Sequence, residues 1–278
     1  MKEKVKSSMN IFKFEFKRQF KSLMIWSIVC STLVVLFMAL FPSMKGMGMQ
    51  KLVGDKLDAL PPATLKVFNI SGIMDFSNIK DFMGYCIQYI VMATGIYGAI
   101  LGVSALSKEE KEGTIEFLYS KPVTRSKVVT SKLLSAVVIM YIFIMIVGVV
   151  TMVMGGIVKP KDLELMTLLM DIKTIYIGAA LLGYTFMALG FLISVLIKYR
   201  SNVTAIALGV FFASFFMGVI GKLKDGLNWL IYLSPSDYFI PSRLLNDGFE
   251  VKHIIIAIAI IIISMVATYV AYNKKDLG

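Results

Sequence analysis

Residues 107–132 read SKEEKEGTIEFLYSKPVTRSKVVTSK, with six Lys/Arg and four Glu in 26 residues of an otherwise very apolar chain. An apolar run long enough to cross a bilayer lies on each side of it. The stretch carries its own punctuation. Glu112-Gly113-Thr114 breaks one helical pattern, and the Thr114 hydroxyl is placed to cap a short second helix, Ile115 to Tyr119. Pro122 stops that helix, because it has no N–H to give and disfavours a helical residue before it. Thr124 is then positioned to cap a third helix that continues into the next apolar run. The stretch is either a solvated connector or a small amphipathic rod held between two breaks against a membrane surface.

Composition supports the membrane setting. Hydrophobic residues make up 57% of the 278 and charged residues 17%, which is the balance of a polytopic membrane protein and not of a soluble domain. The two cysteines, Cys30 and Cys86, lie in or beside apolar runs and have neither disulfide-framework nor metal-ligand spacing. A single histidine, His253, removes most His-based metal and triad schemes, and its place at a span end suits an interfacial residue.

Outward from the opening stretch, six spans are expected, at about 22–41, 83–106, 133–158, 174–197, 203–220 and 253–272. Twenty residues without a charge, as in Ser22 to Phe41, cover roughly 30 Å, the thickness of the hydrocarbon core. That run is too long for a signal-peptide core and no small-residue cleavage site follows it, so it reads as a retained span. Before it, Phe12, Phe16 and Phe20 recur every four residues, with Lys13, Lys17 and Lys21 on an adjoining face. That pattern predicts an amphipathic helix over residues 1–21, lying in the bilayer interface. Gln50 to Leu60 and Ala63 to Ile70 each suit a short helix in the first loop, and residues 221–252 suit short helices dipping into the outer leaflet.

Six spans put both termini on one side. With the N-terminus, 107–132, the turn 198–202 and the tail inside, that face holds 17 basic and 7 acidic residues, against 12 and 11 on the other. Ten of the eleven net positive charges therefore sit on one face, the positive-inside pattern. That distribution explains the basic balance without nucleic acid. No Asp, Glu, Lys or Arg falls within the spans as drawn, which argues against a proton- or sodium-driven carrier and against an intramembrane protease. Small residues at helix-contact spacing, Gly95, Gly98 and Gly102, then Gly183 and Gly190, then Gly209 and Ala213, predict close packing between helices. Gly221-Lys222 lacks the preceding glycine and following hydroxyl of a nucleotide-binding loop.

The opening stretch resembles a known pattern. Glu112-Gly113-Thr114, Glu116-Phe117-Leu118, Ser120-Lys121-Pro122-Val123-Thr124-Arg125 and Lys132-Leu133 are similar to the T-x-E-x-L-x-S-x-P-V-[ST]-R…K-L signature of ABC-2 type transporter permeases. Leu233-Ser234-Pro235 with Tyr238-Phe239, and the terminal Tyr272-Asn273-Lys274-Lys275-Asp276-Leu277, also look like theirs. The resemblance implies an all-α polytopic membrane protein, a single permease domain over 1–278, with both termini cytoplasmic in the cell membrane. It implies half of an export pathway, paired with a second permease subunit, either a second copy or a paralogue. It places ATP and Mg on a separate cytoplasmic ATPase and leaves this chain without catalytic, cofactor-binding or metal residues. The segment between spans two and three would be the coupling helix, with Glu109, Glu112, Gly113, Thr114, Ile115, Glu116, Phe117, Leu118, Pro122 and Arg125 as its coupling residues. Phe12, Phe16, Lys17 and Phe20 would belong to a connecting helix beside it. The reading from another class is a membrane anchor or sensor that recruits a cytoplasmic partner without passing cargo.

Overall fold

A computed structural model describes residues 2–46, 61–67, 69, 75–112, 124–197, 201–224 and 226–275; of these, 2–8, 45–46, 62, 66 and 108–112 are described by backbone alone. The helices are α1 (Lys2–Gly46), α2 (Pro62–Val67), α3 (Ile79–Glu112), α4 (Arg125–Val158), α5 (Leu165–Leu196), α6 (Val203–Leu223), α7 (Pro241–Asp247) and α8 (Val251–Lys274). Two 3₁₀ turns, Asn228–Leu233 and Pro235–Asp237, lie between α6 and α7, and no strand occurs among the described residues. Among them, α1, α3, α4, α5, α6 and α8 are long and apolar enough to cross a membrane. A helix closes its backbone hydrogen bonds within itself, which is what hydrocarbon demands of a spanning segment.

All six expected spans are present, several of them longer at one end. α5 begins at Leu165 and not at Thr174, because Leu165, Met166, Leu168, Leu169 and Met170 carry the apolar pattern back and take Asp171 and Lys173 into the helix. α4 begins where expected, with Thr124 in extended backbone at its N-cap, although the Thr124 hydroxyl makes no capping bond. The short helix expected at 63–70 is the six-residue α2, whereas the one expected at 50–60 lies outside the described residues.

The first helix departs most from expectation. α1 is one unbroken helix of 45 residues, with no boundary between an interfacial segment and a span. Nothing between Lys2 and Phe41 is a glycine or proline, so the sequence offers no break. Its buried stripe runs through Glu15, Gln19, Leu23, Ser27, Cys30, Val34, Met38 and Phe41, the helical repeat of a single continuous face. That stripe places Glu15 and Gln19 against the protein. Phe12 and Phe16 are half-buried beside it, and Phe20 is 47% exposed.

Inside the bundle, α3 and α5 form the central pair; α1 lies along α4, α6 against α3, and α8 against α5. The central pair is close because it lacks side chains at the crossing. A Cβ on Gly98 would come within 2.2 Å of the Gly183 carbonyl oxygen, and one on Gly102 within 2.2 Å of the Met187 oxygen and 2.8 Å of Gly190 Cα. Lipid supplies no hydrophobic drive between helices, so such backbone approach supplies packing. Gly209 is different: nothing lies within 4 Å of where its Cβ would be.

The contrast predicts two outcomes in the purified protein. Gly102→Leu should destabilise the bundle by roughly 3 kcal/mol or prevent its recovery, as overpacking does, whereas Gly209→Ala should leave thermal stability in detergent unchanged. Size-exclusion profile and melting temperature read both.

Candidate functional site

Charged side chains that apolar helices bury need partners, and the buried ion pairs lie at the two ends of the bundle. At one end lie the described ends of the chain and the helix ends that bracket residues 113–123. There α1, α3 and α4 meet in a charge cluster. Lys132, 1% exposed, places Nζ 2.5 Å from the Ala105 carbonyl oxygen and 3.5 Å from Glu15 Oε1. Glu15, also 1% exposed, accepts from Arg18 Nη2 at 2.7 Å through its other oxygen. Burying charge is costly unless it is both paired and hydrogen-bonded, and here it is both. Phe12, Phe16 and Phe20 stand side by side on α1, with ring centroids 6.2 and 6.3 Å apart, while Lys13, Lys17 and Lys21 are exposed.

The same end ties the last helix to the first turns of α4. Arg125 Nη1 donates to the carbonyl oxygens of Tyr272 at 3.5 Å, Asn273 at 3.0 Å and Lys275 at 2.6 Å. These are carbonyls at the C-terminal end of α8, where the intrahelical ladder runs out and a cation is favoured. Ser126 Oγ and the Asn273 amide lie within 3.1–3.3 Å, and the Thr130 and Tyr269 hydroxyls are 2.7 Å apart. Two segments singled out in the sequence, Thr124-Arg125 and Tyr272–Lys275, thus pack against each other.

Of the other predicted coupling residues, Gly113, Thr114, Ile115, Glu116, Phe117, Leu118 and Pro122 lie outside the described residues. Glu109 and Glu112 fall in the last turn of α3, described there by backbone alone, so the helix runs up to the predicted break. Arg125 is the one predicted coupling residue whose side chain is placed.

At the opposite end, the segment after α6 folds back along it. The Ser234 hydroxyl donates to the Ser214 carbonyl at 2.7 Å, and Ser214 lies nine residues before the end of α6, about 13 Å along its axis. Irregular backbone at that depth survives where protein covers it, and Ser234, Pro235, Tyr238, Phe239 and Ile240 are buried. Lys222 and Asp237 form an ion pair, and Lys222 Nζ also donates to Asn69 Oδ1 at 2.7 Å. The carboxylate fits because residue 218 is glycine: a Cβ there would sit 1.7 Å from Asp237 Oδ2. A cavity of about 20 Å³, enough for one water, touches Asn69, Gln88, Ser236 and Asp237.

His253, near the start of α8, is buried here, its ring stacked on Tyr238 at 4.9 Å. Burial pushes the Tyr238 phenol up to about 12, keeping it neutral and a donor to the Tyr232 carbonyl. Among the described residues, no three His, Cys, Asp or Glu are grouped as metal ligands, and Cys30 and Cys86 are buried thiols. Sequence reading missed both ion-paired clusters. Glu15 was detectable, since it sits eight residues before Leu23 on the buried face; the pairing of Lys222 with Asp237 spans a loop and leaves no periodic signal.

Comparison with known proteins gives a consistent result. Residues 9–277 match the model of the ABC-2 family transporter protein family. A probable ABC transporter permease protein NosY from Stutzerimonas stutzeri is 24% identical over 193 residues, covering 65% of this chain and 68% of the relative.

Removing one partner of a buried pair leaves the other charge uncompensated. Lys222→Met should therefore cost about 3–5 kcal/mol, and Lys222→Met with Asp237→Leu should recover most of it. Thermal unfolding of the two variants in the same detergent measures the difference.

Proposed function

The chain belongs to the ABC-2 transporter family, and on that premise we propose that it is the permease subunit of an ATP-driven exporter, docking on a separate cytoplasmic ATPase through residues 113–123. The observation that carries this reading is where the segment leaves and rejoins the bundle. The described part of α3 ends at Glu112 and α4 begins at Arg125, at the end of the bundle where the described residues of both termini also lie. The positive-inside balance makes that end the cytoplasmic one. Ile115, Phe117, Leu118 and Tyr119 supply apolar anchors, and the surrounding Glu and Lys residues supply register more than affinity. The exposed Lys13 and Lys17, beside the aromatic row of α1, extend the same face and suit a connecting surface.

The chain has no nucleotide-binding loop, so ATP and Mg belong to the partner. As half of a pathway it needs a second permease subunit. α6 is suited to meet it, because Ala205, Gly209 and Ala213 are exposed along one line of that helix while the glycines of α3 and α5 are used internally. Cargo then passes outward between the two subunits.

Phe117→Ala with Leu118→Ala should abolish co-purification with the ATPase in mild detergent while membrane insertion is unaffected; unchanged co-purification and transport would leave 113–123 a connector. An engineered cysteine at Ser120 should resist a membrane-impermeant thiol reagent added outside intact cells. Labelling from outside would invert the orientation. A partner that co-purifies without nucleotide hydrolysis would favour the anchor or sensor reading.

A further inference from the structure

The first two turns of α4, Arg125 to Lys132, hold three other helices at once. Arg125 reaches the last carbonyls of α8, and Ser126 and Thr130 repeat that attachment at Asn273 and Tyr269. Lys132, on the same two turns, reaches Glu15 of α1 and the Ala105 carbonyl of α3. The Arg125 and Lys132 contacts are charged side chains meeting backbone oxygens or a carboxylate, and Ser126–Asn273 and Thr130–Tyr269 join neutral side chains, all across helices that are far apart in sequence. None belongs to the ladder of α4 itself, whose first bonds run from Lys127 N and Val128 N to the Thr124 carbonyl at 3.0 and 3.2 Å.

The chemistry of the contacts suits transmission. Arg125 Nη1 reaches the carbonyl oxygens of residues 272, 273 and 275 together, so one cation holds the free carbonyls at the end of α8 close to the start of α4. Lys132 and Glu15 are both 1% exposed, so their attraction is little screened, and separating them leaves buried charge. A displacement of the first turn of α4 therefore cannot be absorbed locally without breaking a charged contact.

We propose that Arg125–Lys132 is a rigid hub that makes the adjacent ends of α1, α3, α4 and α8 move as one body, with Arg125 and Lys132 as positioning residues. The hub lies directly after residues 113–123, so force applied there reaches the first, second, third and last spans together. Only this last step rests on the proposed docking role; the rigidity of the four-helix end stands independently of any partner.

The test has two arms. In the purified permease alone, amide hydrogen exchange should accelerate tenfold or more at 9–19, 101–107 and 269–275 in Arg125→Ala and in Lys132→Met alike, whereas Arg125→Lys should stay within about threefold of the parent. Acceleration confined to 269–275 in the first variant and to 9–19 and 101–107 in the second would overturn the hub, because the two attachments would then be independent.

In the permease–ATPase complex, Ser126→Cys/Asn273→Cys on a Cys30→Ser/Cys86→Ser background would be joined by a short bifunctional thiol reagent. Hydrolysis per mole of complex should be preserved, since the two helices stay together through the cycle, while Arg125→Ala should lose at least fivefold of the change in hydrolysis that the permease imposes. Loss of hydrolysis on cross-linking would overturn the hub. Failure of the parent complex to form would contradict the docking reading instead, and the exchange arm would still decide the hub.

Discussion

The crossing of α3 and α5 is the contact on which the rest of the bundle depends. Those two helices approach until backbone meets backbone at Gly98 and Gly102, and the other spans pack around the pair. In water such an approach would compete with burial of larger side chains. In lipid it does not, because exposed Leu and Ile are already in an apolar solvent and only close packing and hydrogen bonding separate bundle from free helices. This accounts for the apolar residues left facing outward on α1 and α8, such as Ile28 and Ile263, which suit contact with lipid.

Charge obeys the complementary rule. Lys132 and Lys222 lie near opposite ends of helices that otherwise carry apolar residues, and each is given a carboxylate and an oxygen acceptor of another element. The partners come from segments far apart in sequence, so each pair fixes tertiary geometry as well as satisfying a charge. At one end this binds α1, α3 and α4; at the other it holds the segment that folds back along α6. The two ends thus have different designs, one built from the ends of long helices, the other from short turns folded back along α6.

Much of this was legible in the residues. Apolar runs located all six spans, Thr124 marked where α4 starts, and the glycines of α3 and α5 announced close packing between helices. What escaped reading has a common cause: local pattern cannot rank two faces of one helix. The Phe12, Phe16 and Phe20 row marked one face of α1, but the face turned to the protein is the one that carries Glu15 and Gln19, because Lys132 of α4 supplies a partner no local window contains. Asp171 and Lys173 read as a loop end for the same reason, since their charge outweighed five apolar neighbours that continue α5. The Lys222–Asp237 pair required knowing that the chain turns back after α6.

The central claim is that this bundle is half of an assembly driven from its basic end by a separate ATPase. Native mass spectrometry of the complex, drawn from the membrane in mild detergent with the permease tagged, tests it most directly. The account predicts a four-chain particle of two permease subunits and two nucleotide-binding subunits. A permease recovered alone, or bound only to chains without a nucleotide-binding loop, would contradict it.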